Sequence, residues 1–131
     1  RNTEDKILLV KDATRLHLWT LPGGGPEVEE LMPEALMREV KEETSVDIEV
    51  KRLLGVFSQK KTLGIVLLFE ASIISGEPVP DGVETEACAY FSLKELLQMK
   101  EQVKPAQLSM IYQVEHMTHY PLFEHFTVPE E

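Results

Sequence analysis

The sequence predicts a single α/β domain built on a mixed β-sheet between helical layers, and three observations carry that reading. The chain has 131 residues, enough for one real core and too few for two. Apolar runs of strand length mix with segments of helical spacing, without the strict alternation of a parallel βαβ sheet. Clusters of glycine and proline at Leu21 to Pro26 and at Ser75 to Gly82 break the chain between such segments.

Taken in order, Ile7 to Val10 is a short apolar strand, and Asp12 to Arg15 is its polar turn. Leu16, Leu18 and Thr20 alternate with His17 and Trp19, which predicts a second strand. Leu21–Pro22–Gly23–Gly24–Gly25–Pro26 breaks it with a loop whose backbone can reach positive φ and approach a ligand closely. A helix is expected from about Pro33, which suits a first-turn position because its missing N–H costs nothing there. Ala35, Leu36 and Val40 form its buried side, and Thr44–Ser45 ends it. Val46 to Ser58 predicts one or two strands, and Leu63 to Ile74 is by composition the most buried strand. Turns at Ser75–Gly76–Glu77–Pro78 and Pro80–Asp81–Gly82 lead to a strand at Ala87 to Phe91. Ser92 with Glu95 is a capping-box pattern opening a helix through Met99. Pro105 starts a last helix through about His119.

Composition excludes several function classes. The net charge of −10 disfavours polymeric nucleic acid and anionic membrane surfaces as partners. The basic pair Lys60–Lys61 is short and reads as surface charge, with contact to a terminal phosphate as the alternative. One cysteine, Cys88, rules out an intramolecular disulfide and fits a reducing compartment, so a cytoplasmic location is expected. The longest apolar run, Ile65 to Phe69, is too short to span a bilayer, and the opening residues carry no signal-peptide pattern. What precedes Arg1 is left open, an upstream strand included.

Chemistry concentrates behind the glycines. Glu39, Glu42 and Glu43 stand at i, i+3 and i+4, so a helix gathers their carboxylates on neighbouring positions. Like charges there repel unless something positive sits among them. A hard divalent cation is the usual compensation, and Mg²⁺ the usual ion when phosphates supply further oxygens. A solvated acidic face would explain the glutamates alone, and an ordinary turn the glycines alone. No Gly-Lys-Ser/Thr follows, so the loop is not a P-loop. The joint spacing overturns both of the bland readings.

That spacing is Gly24-x5-Glu30-x7-Arg38-Glu39-Val40-x-Glu42-Glu43-x-Ser45-Val46. It resembles the Nudix box, the signature of hydrolases acting on a nucleoside diphosphate linked to another moiety. Ser45 departs from it where the box has glycine. Glycine tolerates left-handed φ, so serine there costs on the order of 1 kcal/mol, with no catalytic group lost. The Leu-Pro-Gly-Gly lead-in and the stretch Glu84-Thr-Glu86-Ala-Cys-Ala-Tyr90-Phe91 are also similar to the family, so the likeness runs from about Ile7 to Leu97.

The resemblance implies an α/β/α sandwich and a Mg²⁺-dependent enzyme (Mn²⁺ also serving) that opens a diphosphate linkage by attack of an activated water at phosphorus. Glu42 and Glu43 are the first choice as metal ligands, and the resemblance adds the carbonyl of Gly23. Glu39 is either a further ligand or the general base, a role that members of the family assign to different glutamates. Arg38 is implied as an orienting partner of a box glutamate, with Glu39 the first candidate, and Gly24 and Glu30 support the site. Glu84 resembles the family's extra acidic ligand or base, with Glu86 as competitor. Trp19 and Phe57 are candidates to stack a base or ribose, against the commoner role of strand aromatics as core. His116 and His119 read as an accidental or structural pair rather than a metal clasp.

The expected substrate is a small nucleotide: a nucleotide sugar such as ADP-ribose first, a (deoxy)nucleoside triphosphate next. The proline or tyrosine that marks some substrate types past the box is missing from Lys60-Lys61-Thr62-Leu63-Gly64, and the coenzyme A signature before Pro22 is absent too. A homodimer is compatible with the family. A non-catalytic nucleotide sensor is the rival reading, disfavoured because all four box glutamates are present.

Overall fold

In the computed structural model, which describes residues 1–14, 16–59, 64–117 and the backbone of 122–126, the strands divide into two three-stranded sheets. The first is antiparallel, in the order β2 (Trp19–Thr20), β1 (Ile7–Asp12), β5 (Thr85–Phe91). The second has the order β4 (Ile65–Ser75), β3 (Asp47–Gln59), β6 (Leu122–Phe126), with β3 antiparallel to β4 and parallel to β6. The mixed character expected from the sequence thus resides in the second sheet. Among the described residues the segment around Leu16 to Thr20 pairs only through Trp19 and Thr20, much less than its alternation suggests. His17 interrupts it at φ 56°, in the left-handed region.

The segment Val46 to Ser58 is one long strand, and bulges near Asp47, Val50 and Leu53 bend it along β4. Helix α1 (Met32–Thr44) lies against β3 and covers Leu8, Val46 and Ile48 with Val40. Helix α2 (Leu93–Gln98) opens with the expected reciprocal cap: Ser92 Oγ accepts from the Glu95 N–H and Glu95 Oε1 from the Ser92 N–H, both at 3.1 Å. A short 3₁₀ turn (Lys100–Gln102) leads into α3 (Pro105–His116), which packs Met110 and Val114 on Leu54 and Phe57.

One expectation is corrected. The strand read as most buried, β4, has no residue fully buried, and Ile65 and Ile74 are exposed. Composition signals that a strand can be buried, but its partners decide whether it is. Beside β4 lies a cavity of about 790 Å³, and among the described residues the strand pairs along one edge alone.

Candidate active site

Backbone devices fix both ends of α1, the helix that carries the clustered glutamates in its middle and last turns. Leu31 caps the helix, and because leucine has no polar side chain the cap is one-sided, with Glu34 Oε1 accepting from the Leu31 N–H at 2.8 Å. Pro33 sits in the first turn as expected. At the other end Ser45 has φ 65° and donates its N–H to the Lys41 carbonyl, so the residue replacing the box glycine occupies the left-handed position the sequence implied.

The glycine loop is pinned from α3. The Lys104 N–H donates to the Trp19 carbonyl at 3.0 Å, and the Leu21 N–H to Gln107 Oε1 at 3.2 Å. These bonds hold Gly23 over α1, where its N–H donates to Glu43 Oε1 at 3.0 Å. Gly24 packs so tightly that a Cβ there would lie 2.6 Å from the carboxyl carbon of Glu39. Any larger residue there would push the Glu39 carboxylate aside.

Arg38 organises the carboxylates on the outer side. Its Nε and Nη2 donate to the two oxygens of Glu30 at 2.8 and 3.0 Å, a bidentate pair. Nη1 reaches Glu39 at 3.0 Å and Glu42 at 3.3 Å, and Nη2 also donates to the Gly25 carbonyl. Arg38 holds Glu30 below the usual carboxylate range, and the glutamates in turn raise the pKa of Arg38. The orienting role inferred for Arg38 therefore extends from Glu39 to Glu30 and Glu42.

Glu43 is different. It is 9% exposed, and among the described residues it has no cationic partner. Burial raises its pKa from 4.5 to about 7, opposed by the Gly23 N–H and reinforced by the charges of Glu39, Glu84 and Asp81. Glu84 lines the same cleft as Gly23, Gly24 and Glu43. Glu86 lies outside it, exposed and paired with His17 Nδ1. Of the two competing acids, geometry brings Glu84 to the cluster.

Neither aromatic candidate faces the cleft. Phe57 is fully buried against Met110 and Val114, so it cannot stack a substrate from that position. Trp19 packs beside Leu9 and Val103, with its ring edge-on to Phe91 at 4.9 Å. Both belong to the core, as strand aromatics usually do. His116 hydrogen-bonds the Tyr112 carbonyl through Nδ1 and stacks on the Tyr112 ring. His119, Lys60 and Lys61 lie outside the described residues.

Three contributors were not foreseen. Asp81 Oδ1 accepts from the N–H groups of Val83, Glu84 and Thr85, fixing the turn that presents Glu84. An aspartate followed by glycine at a turn is the signal that could have found it. Thr85 Oγ1 donates to the Glu43 carbonyl at 3.1 Å, tying that turn to the end of α1. Gln107 had no such signal, being one polar residue in a helix distant in sequence.

Carboxylate and carbonyl oxygens form a donor set suited to a hard divalent cation. The side chains are held apart rather than closed on a point: among the described residues no three acidic, histidine or cysteine side chains converge closely enough to enclose an ion. Glu42 is turned towards Arg38 and is mostly exposed, free to swing inward.

Residues 1–114 match the family model for the NUDIX domain. The chain belongs to the Nudix family. It is 36% identical over 91 residues to a Bacillus subtilis (strain 168) protein named "Putative 8-oxo-dGTP diphosphatase", covering 70% of this chain and 60% of that one. It is likewise 36% identical over 99 residues to an ADP-ribose pyrophosphatase of Methanocaldococcus jannaschii, covering 71% of this chain and 58% of that protein. The chain thus spans no more than about three-fifths of these two relatives. Among solved structures, an ADP-ribose pyrophosphatase from Streptococcus suis 89-1591 superposes with a TM-score of 0.72 at 29% identity, over 95% of this chain and 96% of that one. No helix among the described residues is long and apolar enough to cross a membrane.

Proposed function

We propose that this protein is a divalent-cation-dependent pyrophosphohydrolase that cleaves the diphosphate linkage of a small nucleotide, with a nucleotide sugar of the ADP-ribose kind as the leading substrate. The observation that carries this reading is Glu43: a buried carboxylate with no cationic partner among the described residues, its pKa raised, surrounded by Glu39, Glu84 and the Gly23 loop. A buried carboxylate without a counter-charge, set in a cleft, is a group whose charge a bound cation would satisfy.

Glu43, Glu42, Glu84 and the Gly23 carbonyl are the groups that would hold Mg²⁺, with Glu39 next to them and Glu86 left outside. The cation would neutralise diphosphate oxygens and ease deprotonation of water. Glu39, fixed by Arg38 and crowded by Gly24, is positioned to take a proton from the attacking water. The new P–O bond forms as the anhydride P–O bond breaks, and the leaving phosphate departs with the electron pair. Arg38 keeps Glu39 and Glu42 aimed, and Glu30 anchors Arg38 from behind.

The names of the Methanocaldococcus and Streptococcus relatives favour ADP-ribose. The Bacillus name favours a modified deoxynucleoside triphosphate as the second reading. Incubation with Mg²⁺ and a panel of ADP-ribose, sugar nucleotides, dinucleoside polyphosphates and dNTPs separates them. AMP plus a sugar phosphate supports the first, and inorganic pyrophosphate supports the second. Nucleotide binding without turnover of any compound would sink the enzymatic reading and leave a sensor.

A further inference from the structure

We infer that the connection between β4 and β5, residues 76–84, is a rigid strut that caps the end of α1 and presets Glu84 against Glu43 before any ligand arrives, with Thr85 as its positioning residue. The inference rests on the proposed role of both glutamates as ligands of a cation, and it names what fixes their spacing. A helix ends in carbonyls that have no partner within the helix. At the end of α1 two of these are met from this side of the fold. The Thr44 carbonyl accepts from the Val79 N–H at 2.8 Å, and the Glu43 carbonyl accepts from Thr85 Oγ1 at 3.1 Å. Gly76, the first residue of the strut, presses on the same helix end. At φ 96° it lies so close that a Cβ there would sit 2.7 Å from the Ser45 carbonyl oxygen.

The sequence of the connection makes it stiff. Pro78 and Pro80 bracket Val79 and fix φ on either side of it. Neither proline has an N–H, so Val79 supplies the one backbone donor of that tripeptide, and it is spent on α1. Asp81 then closes the turn. Its Oδ1 accepts from the N–H groups of Val83, Glu84 and Thr85 at 2.8 to 3.0 Å, while the Gly82 N–H donates to the Thr85 carbonyl. Both backbone groups of Glu84 are therefore engaged, its N–H by Asp81 and its carbonyl by the Ala13 N–H at 2.9 Å. The main chain is held, and the side chain alone is left to reach along the cleft it lines. Lids are drawn from weakly bonded segments, and this segment is not one.

Thr85 is the joint. It is 2% exposed and pairs with Asp12 in the β1 ladder. Its hydroxyl accepts from the Asp81 N–H at 3.1 Å. The single hydroxyl proton has two acceptors in reach, the Glu43 carbonyl and Asp81 Oδ1, each at 3.1 Å. One buried hydroxyl thus joins α1, the Asp81 turn and β5. Serine would keep that group, whereas valine would keep the shape and leave the Asp81 N–H and the Glu43 carbonyl without it.

Amide hydrogen exchange and Mg²⁺ calorimetry on the metal-free protein test this together. The Val79 and Thr85 amides should exchange at least about a hundredfold slower than in an unstructured peptide, and Mg²⁺ should change them by less than about threefold. Rapid exchange that slows when Mg²⁺ is added would identify a lid and overturn the strut. Thr85→Val should speed both amides and weaken Mg²⁺ binding by about 10- to 100-fold, and Thr85→Ser should restore both. A valine variant with a lower unfolding temperature and the parent's Mg²⁺ affinity overturns the positioning role. In a Glu84→Gln background the valine should cost little more, because it acts through Glu84, and a full additional loss overturns that route. If Glu84→Gln itself keeps the parent's Mg²⁺ affinity while the amides stay protected, the strut stands and Glu84 fails as a ligand. Should Thr85→Val not fold, Gly76→Ala decides: its methyl group pushes the strut off the Ser45 carbonyl and should weaken Mg²⁺ binding in the same way. Unchanged affinity in that variant is the refuting result.

Discussion

Replacing Glu43 with glutamine should stabilise the metal-free protein and abolish its response to Mg²⁺. Glutamine has the same shape, and its Oε1 can keep the Gly23 N–H bond seen at 3.0 Å. What it removes is a carboxylate whose pKa rises from 4.5 to about 7, first through burial and then through the charges of Glu39, Glu84 and Asp81. At about 1.4 kcal/mol per pH unit, ionising that group in the folded protein costs roughly 3 kcal/mol. The sign follows from proton binding. The folded state holds the proton more tightly than the unfolded state, so stability contributed by protonated Glu43 is present below pH 4.5 and lost as pH rises towards about 7. The variant lacks that slope. Thermal unfolding in EDTA should therefore coincide for the two proteins near pH 4 and diverge by on the order of 10 °C at pH 8, the variant higher. Mg²⁺ at about a hundred times its dissociation constant should return about 2.7 kcal/mol to the parent and little to the variant. A variant no more stable than the parent at pH 8, or one that keeps the full Mg²⁺ shift, would refute the assignment of Glu43.

Further outcomes follow from the same geometry. Arg38→Lys cannot reproduce the bidentate pair with Glu30 while reaching Glu39 and Glu42, so Mg²⁺ activation curves should show a loss of about 10- to 100-fold in turnover or metal affinity. Gly24→Ala places a methyl group 2.6 Å from the Glu39 carboxyl carbon, at the mobile end of a side chain; turnover should fall while the unfolding temperature stays near the parent value. Ser45→Gly relieves a left-handed residue at φ 65° and should add about 1 kcal/mol in denaturant unfolding without altering turnover. Gln107→Leu removes the acceptor of the Leu21 N–H at 3.2 Å, costing about 1 kcal/mol and loosening the Gly23 loop, and titration calorimetry should read weaker Mg²⁺ binding. Unchanged Mg²⁺ affinity would reduce Gln107 to a structural role.

Local signals were legible in the sequence wherever one residue's chemistry dictates one conformation. Pro33 at the start of α1, Ser45 at its left-handed end and the Ser92–Glu95 cap all stand where their chemistry places them. The acidic face of α1 was legible because helical spacing alone fixes which side chains are neighbours. Long-range placement was not. Composition made β4 the most buried strand, yet its burial depends on a neighbour that no pattern within β4 specifies. Phe57 could be read as core or as a stacking surface, and the position of Met110 and Val114, far along the chain, decides for core. Glu84 and Glu86 are two residues apart, and strand alternation alone would put them on one face. They part because Glu84 precedes β5, in the turn held by Asp81, whereas Glu86 lies within the strand that pairs with β1.

The division of labour among the acids explains why Arg38 does not neutralise the site it organises. Its guanidinium is engaged by Glu30, Glu39, Glu42 and the Gly25 carbonyl, all on the outer side of α1. Glu43 and the Glu84 turn are held instead by uncharged devices: the Gly23 N–H, the Thr85 hydroxyl and the backbone amides gathered by Asp81. Uncharged anchors fix position and leave negative charge in place, whereas an ion pair at Glu43 would consume the charge that a cation needs. A lysine introduced at Gln107 tests this reasoning directly, since Gln107 lines the same cleft as Glu43. Its ammonium group should lower the Glu43 pKa and raise metal-free stability at pH 8, while Mg²⁺ affinity falls. If affinity and stability rose together, charge competition would not be what keeps cations away from Glu43.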